Sequence, residues 1–370
     1  LQKYKDLKID KLTISDETLA NEIKNTLLNE VFIVSDIQTK KRISKTPPPF
    51  MTSTLQQAAS SQLGFTPKRT MIIAQALYEG IKIGKQATGL ITYMRTDSLN
   101  LASEAVESAR AYIAQNFGDQ FLPETLKVYS SKAKGAQEAH EAIRPVNIDL
   151  TPQEAEQYLK PEELKLYTLI YKRFIACQMQ DAEFQQQSLL INSKSSLYKI
   201  NGRKLIFAGF YKILGTSDKD KLLPNLKIDE VVKLSHIKPE QHFTEPPARY
   251  SEATLIKTLE AAGIGRPSTY APTITTLQAR KYIDIEKRSI IPTEISFIVM
   301  ELLEKNFPEI VDATFTANME EKLDEITKNT INWQKMLSDF YFDFMKKIAK
   351  GKENIVSLKV AIPTGESCPK

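Results

Sequence analysis

The segment Gly89-Leu90-Ile91-Thr92-Tyr93-Met94-Arg95-Thr96-Asp97-Ser98 sets a phenol two residues from a guanidinium. Read as a short strand feeding a helix after Asn100, it projects Tyr93 and Arg95 to one face. That pair suits phosphoryl transfer: a phenolic oxygen attacks phosphorus, and an arginine fork stabilises the charged oxygens. A phenol titrates near pH ~10 and is a weak nucleophile without help. Thr92 and Asp97 add polar groups nearby. From spacing alone, a half-buried tyrosine at a domain interface fits the same residues. A second cluster, Gln137-Glu138-Ala139-His140-Glu141-Ala142-Ile143-Arg144-Pro145, crowds an imidazole, two carboxylates and an arginine into a loop. A histidine can steer or protonate a phosphate or its leaving group. A structural histidine in a surface loop fits as well.

A third signal runs from Ser251 to Pro292. Ser251 to Leu259 reads as an amphipathic helix closed by Gly263, and Gly263-Ile264-Gly265-Arg266-Pro267 as a tight turn. Ser268 or Thr269 would cap a second helix to about Ala279. Tyr282 to Glu286 and Ile290-Ile291 would then pair around Lys287-Arg288. Helix, turn, helix and basic-tipped hairpin is a winged helix-turn-helix pattern. A helix N-terminus with Ser, Thr and a nearby Arg is a ready phosphate site, although such folds also mediate protein contacts. Cys368-Pro369-Lys370 could open a C-x-x-C zinc half-site, or be a frayed tail.

The elements that must hold these groups fall into blocks. A Lys-rich start carries a helix from Ser15 to Leu28 and a strand at Val31–Val34, and Pro47-Pro48-Pro49 breaks any regular element. Residues 50–180 read as helical. Thr52 caps one helix. Thr66, Pro67 and Gly80 bound a second, with Met71, Ala74, Leu77 and Tyr78 on its apolar face. Residues 181–242 read as strands, with turns at Asn201-Gly202 and Gly215. From Phe243 the pattern is helical again, with one short β excursion.

The chain has 370 residues, and that length suggests several domains. Hydrophobic residues make up 42% and charged residues 26%, which excludes wholesale disorder. A formal charge of +5 allows a polyanionic partner without demanding one. No G-x-x-x-x-G-K-[ST] loop is present, which argues against ATP hydrolysis by that route, and no H-E-x-x-H zinc motif occurs. No apolar run reaches the ~18 residues of a membrane span. Two cysteines fit a reducing cytosol. Both ends, at Leu1 and Lys370, read as cuts in a larger protein.

Taken together, these segments resemble the type IA family of bacterial DNA topoisomerases. The resemblance rests on Pro49-Phe50-Met51-Thr52-Ser53-Thr54-Leu55-Gln56-Gln57-Ala58-Ala59, Leu90 to Ser98, Gln137 to Pro145, Pro246 to Ala253 and Gly263 to Ala271. It implies an α+β, multi-domain, toroidal core. Residues 1–46 and 181–243 would be two passes of a β-rich arch, 47–180 a helical domain bearing the tyrosine, and 244–358 a winged-helix-like base. Residues 359–370 would be a linker and the start of a truncated zinc-ribbon region.

The resemblance implies further that Tyr93 is the nucleophile, with Arg95 beside the scissile phosphate and His140 aiding cleavage-site binding. Thr92, Arg144, Arg249, Arg266, Ser268, Thr269 and Arg280 would contact DNA. The expected activity is ATP-independent relaxation of negatively supercoiled DNA through a 5′-phosphotyrosine, by a monomer at the bacterial nucleoid in the cytoplasm. Mg²⁺ would be held by a Toprim domain that this sequence lacks, leaving the fragment inactive in relaxation. Zinc would belong only to ribbons beyond Cys368. Two other readings stay open: a non-catalytic nucleic-acid-binding module and, more remotely, a tyrosine recombinase.

Overall fold

The computed structural model describes residues 1–130, 140–216 and 220–354. Gln137-Glu138-Ala139 and the tail with Cys368 lie outside the described residues. The strands are β1 (Lys3–Tyr4), β2 (Leu7–Lys8), β3 (Phe32–Ser44), β4 (Ile81–Ile83), β5 (Gln86–Thr88), β6 (Ala182–Asn192), β7 (Ser196–Phe207), β8 (Val231–Val232), β9 (Ile283–Glu286) and β10 (Ser289–Pro292). Helices α1 (Glu17–Leu27), α2 (Thr52–Ala58), α3 (Pro67–Glu79), α4 (Ser103–Phe117), α5 (Pro152–Ala155), α6 (Pro161–Gln178) and α7 (Tyr211–Leu214) occupy the first two thirds. The last third holds α8 (Glu252–Ala261), α9 (Tyr270–Ala279), α10 (Glu294–Asn306), α11 (Pro308–Val311), α12 (Ala313–Thr327) and α13 (Trp333–Asn354). Of the described residues, those in 1–48, 102–128 and 172–247 form one compact unit, and the others form a second.

The first unit is built on an antiparallel sheet in the order β2-β1-β7-β6-β3-β8. The strand-rich stretch at the start of the chain and the one in its middle meet in it, with Val34 opposite Ile191 and Ser44 opposite Ala182. Asp16 caps α1 by accepting the Leu19 N–H at 2.9 Å. Ile23 and Leu27 of that helix pack with Tyr4, Phe32 and Ile191 as the local core. Phe121, just past α4, lies 6.2 Å from Phe117 and 5.0 Å from Phe207 of β7, measured between ring centres.

One sequence expectation falls short here and another fails. The strand at Val31–Val34 runs on to Ser44, because the ladder to β6 holds residues exposed on both faces that show no apolar alternation. Asn201-Gly202 is not a turn: both residues sit mid-strand in β7, opposite Ser188 and Gln187. The glycine is needed for a close approach instead, since a Cβ there would come within 2.7 Å of the Lys221 carbonyl oxygen.

In the second unit, α2 passes into a π-helical turn, Ala59–Leu63, that ends on left-handed Gly64. Thr66 then caps α3, accepting the Arg69 N–H at 3.1 Å, with Pro67 in first position and Gly80 just past the end, as the sequence implies. Helices α8 and α9 and the β9–β10 hairpin share a core of Ile256, Tyr270, Ile274, Ile283 and Ile290. Lys287 and Arg288 both take left-handed φ angles, +47° and +70°, as a two-residue hairpin turn requires.

Candidate active site

Tyr93 does not lie on a strand. Apart from one bridge, Ile91 to Pro145, the segment 89–98 has no regular structure. Side-chain hydroxyls fix it instead. Thr92 Oγ1 donates to the Ala142 carbonyl at 2.7 Å and accepts the Arg144 N–H at 3.0 Å, while the Thr92 N–H bonds the Arg144 carbonyl at 2.9 Å. On the other side, buried Thr52 sets its hydroxyl 2.7 Å from the Met94 carbonyl and 3.0 Å from that of Thr96, and accepts the Thr96 N–H at 2.9 Å. Thr52 is therefore not the cap read from its position: Met51 occupies that place, and the threonine hydroxyl is drawn into the tyrosine segment. Leu90, Ile91 and Met94 are buried, so the chain around residue 93 is anchored by apolar contacts as well.

Between these anchors the Tyr93 ring is half-buried. It meets Tyr78 of α3 edge-on at 5.4 Å and the exposed His140 imidazole at 5.3 Å, both between ring centres. Tyr78 is 41% exposed, so it does not join Ala74 and Leu77 on the buried face of its helix. Its place beside Tyr93 has no local sequence signal, because a tyrosine at helical spacing also fits a core position.

Arg95 points elsewhere. It is exposed and lines a cleft of about 580 Å³ between α3 and α9, together with Lys68 and Ser268. Neither Lys68 nor Arg95 has an ion-pair partner among the described residues.

The remaining candidates divide by their partners. Arg144 is held by Glu141 at 2.6 Å and donates to the Pro145 carbonyl. Arg266 lies in the turn shaped by Gly263 and Gly265, whose φ angles are +72° and +81°. Its guanidinium reaches Asp324 at 2.6 Å and Glu320 at 3.9 Å, both on α12. Burial opposes its charge, but the two carboxylates outweigh that and raise its pKa above the usual arginine value. Thr269 stands at the start of α9 without capping it: its hydroxyl turns back to accept the Arg266 N–H at 2.8 Å. Ser268, Arg249 and Arg280 are exposed.

Ser53 of α2 donates to Glu260 of α8 at 2.5 Å, a link with no local sequence signal. Among the described residues, no three His, Cys, Asp or Glu side chains converge to hold a metal. The described residues thus offer no ligand set for a resident cation. No helix among them is long and apolar enough to cross a membrane.

Comparison with known proteins adds to this geometry. A family model described as DNA topoisomerase matches residues 1–338. DNA topoisomerase 1 of Helicobacter pylori is 58% identical over 370 residues, which is all of this chain and 50% of the relative. That of Campylobacter jejuni is 54% identical over 369 residues and is covered to 53%. The structure of full-length topoisomerase I from Thermotoga maritima superposes with a TM-score of 0.82 at 37% identity, over 92% of this chain and 55% of that one. The chain thus spans about half the length of the relatives it matches.

Proposed function

The chain belongs to the bacterial type IA DNA topoisomerase family, and we propose that it is the part carrying the DNA-cleaving tyrosine, Tyr93. The observation that carries this reading is the double clamp: Thr92 and Thr52 fix the backbone on both sides of a phenol that stays half-exposed. A nucleophile held this way needs little further ordering to reach a phosphodiester.

In the proposed reaction, the Tyr93 oxygen attacks the phosphorus and gives up its proton. The bond from phosphorus to the 3′ oxygen breaks, and that oxygen leaves as a hydroxyl after taking a proton. The 5′-phosphoryl end stays on the tyrosine while another strand passes. The 3′-hydroxyl then attacks in reverse and restores the phenol. The phosphotyrosine keeps the phosphodiester energy, so no ATP is consumed. Arg95, over the neighbouring cleft, supplies a fork for a backbone phosphate of the bound strand, and His140, against the tyrosine ring, can hold a proton or a phosphate oxygen. The substrate is single-stranded segments of negatively supercoiled DNA, and the protein acts as a monomer in the cytoplasm. The acidic, Mg²⁺-binding part of the active site comes from the portion of the relatives that this chain does not span.

Mixing the chain with that separately produced portion tests the division of labour. Mg²⁺-dependent relaxation is expected from the mixture and not from either piece. Robust relaxation by the 370-residue chain alone contradicts it.

A further inference from the structure

We propose that Glu260 of α8 is a positioning residue for Tyr93: through Ser53 it fixes the first turn of α2, where Thr52 holds the tyrosine segment. The inference rests on the functional reading above and extends it to a side chain on another helix.

Thr52 and Ser53 are the first two residues of α2, and both are buried. Successive helical residues point about 100° apart, so the two hydroxyls leave the same turn on different sides. Thr52 reaches the Met94 and Thr96 carbonyls at 2.7 and 3.0 Å and accepts the Thr96 N–H at 2.9 Å. Ser53 donates to Glu260 Oε1 at 2.5 Å. One turn of backbone therefore stands between the chain after Tyr93 and a carboxylate of α8. A displacement of that turn disturbs both sets of bonds together.

Apolar packing is a weak constraint on that turn. The helix is seven residues long, and Thr52, Ser53 and Gln56 are buried in it beside Leu55 and Ala58. Neither amide atom of Gln56 has a hydrogen-bond partner among the described residues. A short helix with this much buried polarity takes its place from the partners its side chains find. Glu260, for its part, does not serve its own helix. It lies in the last turn of α8, where the helix dipole disfavours a carboxylate. Among the described residues no cation pairs with it. The Ser53 hydroxyl gives it a charge-assisted bond, stronger than a neutral one. Helix α8 also packs on the π-helical turn that continues α2, so the contact runs along the same element.

The test uses this chain supplied with the portion of the Helicobacter pylori relative that it does not span. Single-turnover cleavage of end-labelled single-stranded DNA is timed at saturating DNA, and affinity is measured separately by fluorescence anisotropy. Glu260→Ala and Ser53→Ala should each slow cleavage about tenfold or more and leave affinity within about twofold, since a misplaced nucleophile costs rate rather than binding. The double variant should be no slower than either single one, because both remove the same bond. Glu260→Gln keeps an oxygen that accepts from Ser53 and should recover most of the rate. Hydrogen exchange at the Thr96 amide should speed up in both alanine variants, while the amides of β6 stay as they were. Urea denaturation checks folding, and Ser53→Ala, which removes one oxygen, carries the test if Glu260→Ala unfolds. Unchanged cleavage in Ser53→Ala, additive losses in the double variant, or a Glu260→Gln form as slow as Glu260→Ala would overturn the positioning role and leave the functional reading standing. If the unaltered mixture forms no covalent product, or Tyr93→Phe forms the same one, the functional reading fails and the positioning role falls with it.

Discussion

The tyrosine segment and the glycine turn before α9 each carry an arginine among hydroxyl side chains, yet the fold treats the two oppositely. Arg95 is exposed over an apolar cleft, and among the described residues no acidic side chain lines that cleft. Arg266 is only 22% exposed and is held by Asp324 and Glu320 of α12. The first guanidinium is available to a phosphate; the second already has its anions. What decides this lies 54 and 58 residues further along the chain and not in the neighbouring sequence, which looks equally suited to an anion in both places. The lesson is that a basic residue in a nucleic-acid-binding motif can be part of the scaffold that shapes the motif.

The contrast can be broken by exchanging the consequences. Asp324→Ala removes the nearer partner of Arg266 and leaves a partly buried cation under-satisfied. It should lower the unfolding free energy by about 2–3 kcal/mol, measured by urea denaturation. Single-strand affinity should change much less. Arg95→Ala should do the reverse, leaving the denaturation midpoint in place while weakening single-strand binding and flattening its salt dependence. Equal destabilisation by both substitutions would erase the distinction. A smaller effect sharpens it from the side of the tyrosine. Thr92→Val keeps the shape but leaves the Ala142 carbonyl and the Arg144 N–H without their hydroxyl partner. It should cost about 1–2 kcal/mol, and hydrogen exchange at Arg144 should speed up. Unchanged exchange there would mean that the hydroxyl does not clamp the segment.

Much of the fold can be read locally. Thr66, Pro67 and Gly80 mark both ends of α3 because capping is a matter of neighbouring residues. Lys287-Arg288 marks the β9–β10 hairpin by the abrupt switch between two short apolar runs. Where the reading fails, distant partners override local signals. Asn201-Gly202 has the composition of a turn, but its backbone is committed to Ser188 and Gln187 across the sheet. Residues 38–42 lack the alternation of a strand because much of β3 is open to solvent, and only pairing with β6 keeps it extended. The same limit applies at the site. Tyr93 and His140 stand out by residue type and meet in space. Thr52 reads as a helix cap and Tyr78 as core, and their roles beside Tyr93 emerge only from contacts across 44 and 15 residues.

The central claim is that the phenolic oxygen of Tyr93 becomes the temporary anchor of a broken strand. The direct measurement is covalent trapping of end-labelled single-stranded DNA on this chain, supplied with the portion of the Helicobacter pylori relative that it does not span and quenched with denaturant. The account predicts a labelled protein band whose DNA is joined through its 5′ end, present with Tyr93 and absent in Tyr93→Phe. A band that survives that substitution, or DNA joined through its 3′ end, would contradict it.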